Sequence, residues 1–223
     1  MMRNILILLC LFSSTLAQSI ENQSAQIKFE LHKKVSETHI PLSYEKAGID
    51  LFTILDNHQG VVCSVYSPSF CITTDIVPSA KIMNVEHTWP QSLGAMGIAK
   101  SDLHHLFATK SSTNSMRSSL PFCNVVTVKW EDDQSKRGIG SFGEACFEPP
   151  TKHKGNVARA LFYFSIRYNL PIDSHQEFYL RLWNKEDPVD ADEIQIDQII
   201  FSLQKNKNPF ISNPELVDQI TDF

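Results

Sequence analysis

The chain has 223 residues, of which 42% are hydrophobic and 20% charged, with only 8 Gly and 11 Pro. This composition predicts one globular domain with a substantial core and excludes a disordered or low-complexity chain. The formal net charge of −5 argues against a long basic surface that neutralises many phosphates, but it is compatible with a local basic groove.

Residues 1–17 predict an export signal. Arg3 precedes an apolar run from Ile5 to Phe12, and Thr15-Leu16-Ala17 places small residues at both key positions of a cleavage site. The run is too short to span a bilayer, and no later segment predicts a membrane span. A buried first helix is the alternative. We expect a secreted or periplasmic, monomeric chain of residues 18–223, with 19 basic and 25 acidic residues once Arg3 is removed.

Four cysteines follow the signal: Cys63, Cys71, Cys123 and Cys146. An even number in an exported chain indicates two disulfides, and three pairings are possible from the sequence alone. We favour Cys63 with Cys71 and Cys123 with Cys146, because each of these pairs closes a short loop. A zinc site is the alternative, although no pair has the two-residue spacing typical of zinc ligands.

The predicted elements of the first half alternate between helices and short strands. Residues 18–34 are polar and predict a loosely ordered N-terminal segment. Ser43 is a good N-cap for a helix that ends by Gly60, with Ala47, Leu51, Ile54 and Leu55 at helical spacing. Strands are predicted at 61–66 and 81–87, and a helix at 109–118 with Thr109 as its cap. The segment from Glu86 to Asn114 therefore reads as strand, loop, strand, helix.

The second half is predicted to be mainly helical. A strand at 125–128 precedes a turn at Gly138-Ile139-Gly140, and Gly155-Asn156 caps a helix with a wide apolar face. Asp190 and Glu193 have capping-box spacing at the start of a last long helix, on which Ile196, Ile199, Ile200 and Leu203 form the buried side. The whole pattern predicts an α+β fold in a single mixed domain.

Residues 85–117 contain the side chains needed for phosphodiester hydrolysis, which requires an activated water and positive charge near the phosphate. His87 is the candidate general base, because an ordinary histidine pKa near 6.5 leaves it mostly neutral at neutral pH. Glu86 and Asn114 offer oxygen ligands that suit Mg²⁺ or another hard divalent ion.

Glu86 and His87 are adjacent in a predicted strand, which conflicts with a shared role of the two side chains at one catalytic centre. Neighbours in a regular strand face opposite sides, so the two side chains can serve one centre only at a strand end or a bulge. Trp89-Pro90 directly afterwards favours such an end, because Pro cannot continue the hydrogen-bond ladder.

Several runs of this sequence occur together in one known family. They are Glu86-His87-Thr88-Trp89-Pro90-Gln91-Ser92, Ser101-Asp102-Leu103-His104-His105-Leu106, Asn114 followed by Arg117, Phe147-Glu148-Pro149-Pro150, Gly155-Asn156-Val157-Ala158-Arg159-Ala160, and Gln204 with Asn208-Pro209-Phe210-Ile211. With these runs the chain resembles the bacterial endonuclease I family of secreted and periplasmic nucleases. The resemblance implies a central ββα-metal (His-Me finger) motif surrounded by helices. It also implies that His87 is the general base, that Glu86 and Asn114 bind the metal, and that Arg117 lies near the phosphate.

The chain departs from the family pattern at three places. Ala108 and Lys110 stand where members usually have Pro and Asp, and Ile196-Asp197 stand where the last helix often has Arg-Asn. No Arg lies between His87 and Lys100, where some members carry a product-stabilising Arg, and Lys100 or Arg117 could substitute for it. These departures predict a weakened rather than an inactive enzyme.

Asp102, His104 and His105 allow a second interpretation as a zinc cluster, because imidazole is a common zinc ligand. We favour a supporting role for Asp102, which could orient a neighbour by a hydrogen bond. Adjacent histidines in a strand would point in opposite directions, and one of them could be a hydrogen-bonded core residue.

Together these features predict an exported endonuclease that cuts DNA, and potentially RNA, with little sequence preference. One divalent cation is expected, with Mg²⁺ as the first choice and Mn²⁺ or Ca²⁺ as alternatives. Two other functions are compatible with the same residues: a metal-dependent phosphodiesterase acting on small nucleotides, and a non-catalytic nucleic-acid-binding relative.

Overall fold

The computed structural model describes the backbone of residues 2–223 and the side chains of residues 17–223. Apart from Ala17, the side chains of the predicted export signal lie outside the described residues, so the signal remains a prediction. Across the described part of the chain, no helix is both long enough and apolar enough to cross a membrane.

The elements in chain order are α1 (Met2–Glu37), α2 (Tyr44–Asp50), β1 (Asn57–His58), β2 (Val61–Cys63), β3 (Cys71–Thr73), β4 (Met83–His87), β5 (Leu106–Lys110), α3 (Ser111–Arg117), β6 (Val125–Asp132), β7 (Ser135–Gly140), β8 (Ala145–Glu148), α4 (Lys154–Tyr168), α5 (Ser174–Glu186), α6 (Ala191–Gln204) and α7 (Pro209–Ser212). This composition of helices and small sheets confirms the predicted α+β fold in one mixed domain.

The prediction of a loosely ordered segment at 18–34 is wrong, because these residues belong to α1. Leu31 and Val35 are buried in the larger hydrophobic core. Lys28 Nζ donates to the carbonyl of Asp222 at 2.9 Å, and Ser24 Oγ accepts from Thr221 N at 3.0 Å. A narrow apolar stripe at helical spacing is therefore enough to dock an otherwise polar helix.

The predicted order strand, loop, strand, helix is confirmed around residues 83–117. Strands β4 and β5 pair antiparallel, with Glu86 opposite Phe107 and His87 opposite Leu106, and α3 follows β5 directly. Thr109 is not the helix cap: it lies within β5, where its hydroxyl is buried against Ser64 Oγ at 3.2 Å. Its β-branched side chain suits a strand better than a helix.

The turn predicted at residues 138–140 is also wrong, since Gly138 and Gly140 lie within β7. The register between β6 and β7 is irregular between Val128 and Trp130. A Cβ on Gly138 would collide with the carbonyl oxygen of Thr127. Glycine here permits close backbone approach at a bulge, a role that the sequence does not distinguish from a turn.

Gly155-Asn156 does not cap α4, which begins at Lys154 with His153 as its N-cap, but other local signals are confirmed. Ser43 accepts from Lys46 N as the N-cap of α2, and Asp190 accepts from Glu193 N at 2.8 Å as the N-cap of α6. Helix α2 continues into a π-helical turn over Leu51–Leu55. Both favoured disulfides are present, Cys63–Cys71 and Cys123–Cys146.

Two hydrophobic cores flank the β4–β5 pair. The larger core is built on α4, and the smaller one joins α2 to β4 and β5. Met83 at the start of β4 belongs to the smaller core, whereas Trp89, just after its end, packs on Phe164 in the larger core with ring centroids 5.0 Å apart. The candidate residues Glu86 and His87 are therefore anchored between two packed layers.

Candidate active site

Glu86 lies on β4 in a buried environment, with only 2% of its surface exposed. Its Oε1 accepts a hydrogen bond from Tyr66 OH at 2.9 Å and lies 3.3 Å from Arg117 Nε. Burial raises the pKa of Glu86, while Arg117 and the Tyr66 hydroxyl act in the opposite direction. Oε2 accepts no hydrogen bond from the described residues, so this oxygen is available to a ligand.

Asn114 is held in one amide orientation. Its Nδ2 donates to Asn84 Oδ1 at 2.8 Å and to the carbonyl of Val85 at 3.3 Å. Because both contacts use the amide nitrogen, Oδ1 is left as a free acceptor within the described part of the chain. Oxygens without donors on Glu86 and Asn114 are the type of ligand that Mg²⁺ and similar ions prefer, so the residues present fit a hard divalent cation.

His87 is the last residue of β4 and is 8% exposed. Its Nε2 lies 3.1 Å from the carbonyl of Lys100. A carbonyl can only accept, so this contact assigns the proton to Nε2 and leaves the lone pair on Nδ1. Gln91 Nε2 lies 3.4 Å from Nδ1. Burial lowers the pKa of His87 to about 4, with the charges of Lys100 and Arg117 acting in the same direction, so the ring is neutral at pH 7.

The two adjacent side chains contact different neighbours, as expected for consecutive strand residues. Glu86 contacts Tyr66 and Arg117, whereas the His87 ring stacks on Tyr44 at 5.7 Å. Arg117 links the two positions, because its Nη1 approaches the His87 carbonyl at 3.5 Å.

Arg117 ends α3 and is 2% exposed. Nη2 donates to the carbonyl of Thr88 at 2.6 Å and Nη1 to that of Ser118 at 2.9 Å. The Nε approach to Glu86 is an ion-pair contact without an aligned hydrogen bond. The guanidinium therefore fixes Glu86 and the chain just after β4, and one N–H of Nη2 has no partner among the described residues.

Asp102 lies at the centre of a buried polar network. Its Oδ2 accepts from Tyr163 OH at 2.7 Å and Tyr168 OH at 2.8 Å, and its Oδ1 from Gln204 Nε2 at 2.7 Å. Although burial alone would raise the pKa of Asp102, the charges of nearby histidines and the Gln204 hydrogen bond lower it to about 2. This carboxylate connects the loop before β5 to α4 and α6.

The two histidines that follow Asp102 occupy different surroundings. His104 Nε2 lies 3.3 Å from the carbonyl of Asn206, and His105 Nε2 lies 2.8 Å from that of Ala99. Burial and the charge of His87 lower the pKa of His105 to about 3, and its ring meets His87 edge-on at 5.5 Å. The described residues bring no three potential metal ligands together here.

One group of three potential ligands is found elsewhere in the described part: Cys123, Glu144 and Cys146. The two cysteines form a disulfide, so they offer no thiolate to a metal.

Three residues that contact the candidate site residues are not predicted from the sequence. Tyr66 holds Glu86, Asn84 orients Asn114, and Gln91 approaches Nδ1 of His87. Gln91 lies in the run that carries the family resemblance, so a signal for it existed. Tyr66 and Asn84 have no local signal, because each acts on a residue at least 20 positions away in the chain.

Comparisons with known proteins agree with the resemblance. The sequence matches the family model described as Endonuclease I over residues 12–215. It is 34% identical over 159 residues to an extracellular ribonuclease of Bacillus subtilis (strain 168), covering 61% of this chain and 53% of that protein. It is 30% identical over 115 residues to an extracellular deoxyribonuclease of Aeromonas hydrophila, covering 49% of this chain and 48% of the relative.

A third relative is the Endonuclease-1 of Buchnera aphidicola subsp. Acyrthosiphon pisum (strain APS), 27% identical over 112 residues, with coverages of 50% and 44%. The chain spans about half the length of these curated relatives. Because the family model matches most of the sequence, this chain belongs to the endonuclease I family.

Proposed function

We propose that this protein is an exported endonuclease that hydrolyses phosphodiester bonds of DNA and RNA with little sequence preference. Membership of the endonuclease I family supports the reaction. Relatives named ribonuclease and deoxyribonuclease support both nucleic acids as substrates. Relatives named extracellular and two disulfides support export.

The proposal depends mainly on His87, whose ring is neutral and has its proton on Nε2. The contact between Nε2 and the Lys100 carbonyl directs the Nδ1 lone pair away from that carbonyl. Since the lowered pKa keeps the ring neutral, Nδ1 can accept the proton of an attacking water. Gln91 Nε2 donates towards the same nitrogen at 3.4 Å, so this long contact must give way for the water to reach Nδ1.

Glu86 Oε2 and Asn114 Oδ1 would hold one divalent cation, with Mg²⁺ as the first choice. Such an ion supplies a Lewis acid for the phosphate oxygens and for the leaving group. Tyr66 and Asn84 form hydrogen bonds with the atoms of Glu86 and Asn114 that would not bind the metal. Such hydrogen bonds usually orient the ligands of a metal.

The main role of Arg117 is to position neighbouring groups of the site. Its charge favours the ionised form of Glu86 against the burial that raises the pKa of this carboxyl, and its Nη atoms hold the carbonyls of His87 and Thr88. The remaining Nη2 proton is the group that would contact the phosphate.

A nuclease assay tests the proposal. Purified protein is incubated with plasmid DNA and with RNA in Mg²⁺, Mn²⁺ or Ca²⁺, with EDTA as the control. We expect cleavage that EDTA abolishes and that favours oligomers over dinucleotides. Intact DNA and RNA in every metal would refute the proposal.

A further inference from the structure

A cavity of about 470 Å³ opens beside the candidate active site. Its walls are largely apolar and come from α2, from the segment before β4 and from β4 itself. Its lining includes Ile49, Phe52, Val77, Pro78 and Met83.

Three of the apolar and aromatic side chains that line this cavity are partly exposed to solvent. Tyr44 is 40% exposed, Ile49 39% and Val77 44%.

The cavity shares its walls with the candidate active site. Tyr44 lines it and also stacks on His87 with ring centroids 5.7 Å apart. Asn84, another lining residue, accepts the hydrogen bond that orients Asn114. A ligand in the cavity would therefore be a direct neighbour of a phosphate bound at His87 and Asn114.

We propose that this cavity binds one nucleobase of the substrate strand, in the nucleotide next to the scissile phosphate. The inference rests on the proposed function. Bases stack on aromatic and apolar side chains whatever their sequence, and the cavity has room for a planar base.

The charged groups around the cavity agree with this occupant. Lys100 Nζ lies 4.2 Å from the centre of the Tyr44 ring, which places a cation beside this lining residue of the cavity, where it can attract the substrate backbone. Glu45 lies on the rim, where its carboxylate can accept from the amino group of a base.

The overall charge gives an independent reason for base contacts. With a formal net charge of −5, the protein lacks the excess of basic residues that a long phosphate track would use. Stacking of a base would supply binding free energy that does not depend on phosphate neutralisation.

Gly48 provides a way to fill the cavity. It lines the wall within α2, and a Cβ added there meets no atom within 4 Å. Leu is also a better helix former than Gly. Gly48→Leu should therefore fold and occlude the cavity. Gln195→Leu, at an exposed position of α6 that does not line the cavity, introduces the same side chain as a control.

The experiment compares kcat/KM for an oligonucleotide and for a matched oligomer in which tetrahydrofuran residues replace the nucleosides. For wild type and Gln195→Leu we expect a preference for the base-bearing oligomer. In Gly48→Leu this preference should fall at least about fivefold, the lower range for loss of one stacked base.

Three outcomes would overturn the inference. One is an unchanged preference in Gly48→Leu, and another is a wild type that cleaves both oligomers equally well. The third is a wild-type dimer, seen by sedimentation, that Gly48→Leu dissociates, since this would assign the cavity to a second copy. Absence of cleavage of either oligomer by wild type would instead refute the proposed function itself.

Discussion

The guanidinium of Arg117 lies 3.3 Å from Oε1 of Glu86, and both residues are 2% exposed. The contact joins the last residue of α3 to a candidate metal ligand on β4. A buried carboxylate without a partner is costly, so this pair couples the stability of the fold to the ionisation of Glu86.

Replacing Arg117 should therefore destabilise the protein strongly. Arg117→Met leaves Glu86 with only the Tyr66 hydroxyl and also leaves the Thr88 carbonyl without its donor. We expect a loss of about 3 kcal/mol in the free energy of unfolding, measured by urea denaturation in EDTA.

Arg117→Lys is the matched control, since it keeps the charge but cannot form the same fork of hydrogen bonds. It should recover part of the lost stability. Equal stability of Arg117→Met and wild type would show that the pair contributes nothing.

His87→Ala should lose most hydrolysis while keeping its metal. The change removes the proposed proton acceptor but leaves Glu86 and Asn114 in place, so kcat should fall by at least about 100-fold. Turnover of plasmid DNA and calorimetric titration with Mn²⁺ measure the two properties. His175→Ala, an exposed histidine on α5, should behave as wild type, and wild-type turnover by His87→Ala would disprove the base assignment.

Tyr66→Phe should weaken metal binding without altering the shape of the core. It removes only the hydroxyl that donates to Glu86 at 2.9 Å, and loss of such an outer contact typically lowers metal affinity about 10- to 100-fold. Titration with Mn²⁺ gives the affinity. Tyr163→Phe, which removes a similar bond to Asp102 at 2.7 Å, should lower stability but leave the metal affinity unchanged.

The parts of the fold that the sequence predicted correctly depend on local signals. The caps at Ser43 and Asp190 involve residues three positions apart. The disulfides close loops of 8 and 23 residues in sequence separation. The order of strands and helix around His87 follows from short apolar runs and from Pro90.

The errors have non-local causes. Helix α1 is ordered by contacts with the distant C-terminal residues Thr221 and Asp222. Gly138 is required by the carbonyl of Thr127 on a neighbouring strand. Among the site residues, the partners of Glu86 and Asn114 were hidden for the same reason, because hydrogen bonds between elements leave no pattern in a single sequence.

The two disulfides should contribute unequally to stability. In the chain-entropy model, the loop closed by Cys63 and Cys71 stabilises by about 2.5 kcal/mol and that closed by Cys123 and Cys146 by about 3.5 kcal/mol. The double Cys→Ala variant of each pair, compared by urea denaturation, checks this order. Identical midpoints in the presence and absence of reductant would contradict both contributions.

His153 should make the protein sensitive to acid. It is buried between Phe107 and Tyr66, and its Nε2 has no hydrogen-bond partner within the described part. Burial, followed by the charge of Arg159, lowers its pKa to about 3, below the ordinary value near 6.5. The contribution of the neutral His153 ring to the free energy of unfolding is fully present above pH 6.5. It is lost as the pH falls towards 3, because only the unfolded chain binds the proton.

The variant His153→Leu isolates this effect. The free energy of unfolding of the variant minus that of wild type should be constant above pH 7. Between pH 6 and pH 4 it should rise by about 1.4 kcal/mol per pH unit in favour of the variant. Urea denaturation at a series of pH values measures the difference. A difference that does not vary with pH over that range would mean that His153 titrates alike in the folded and unfolded chains.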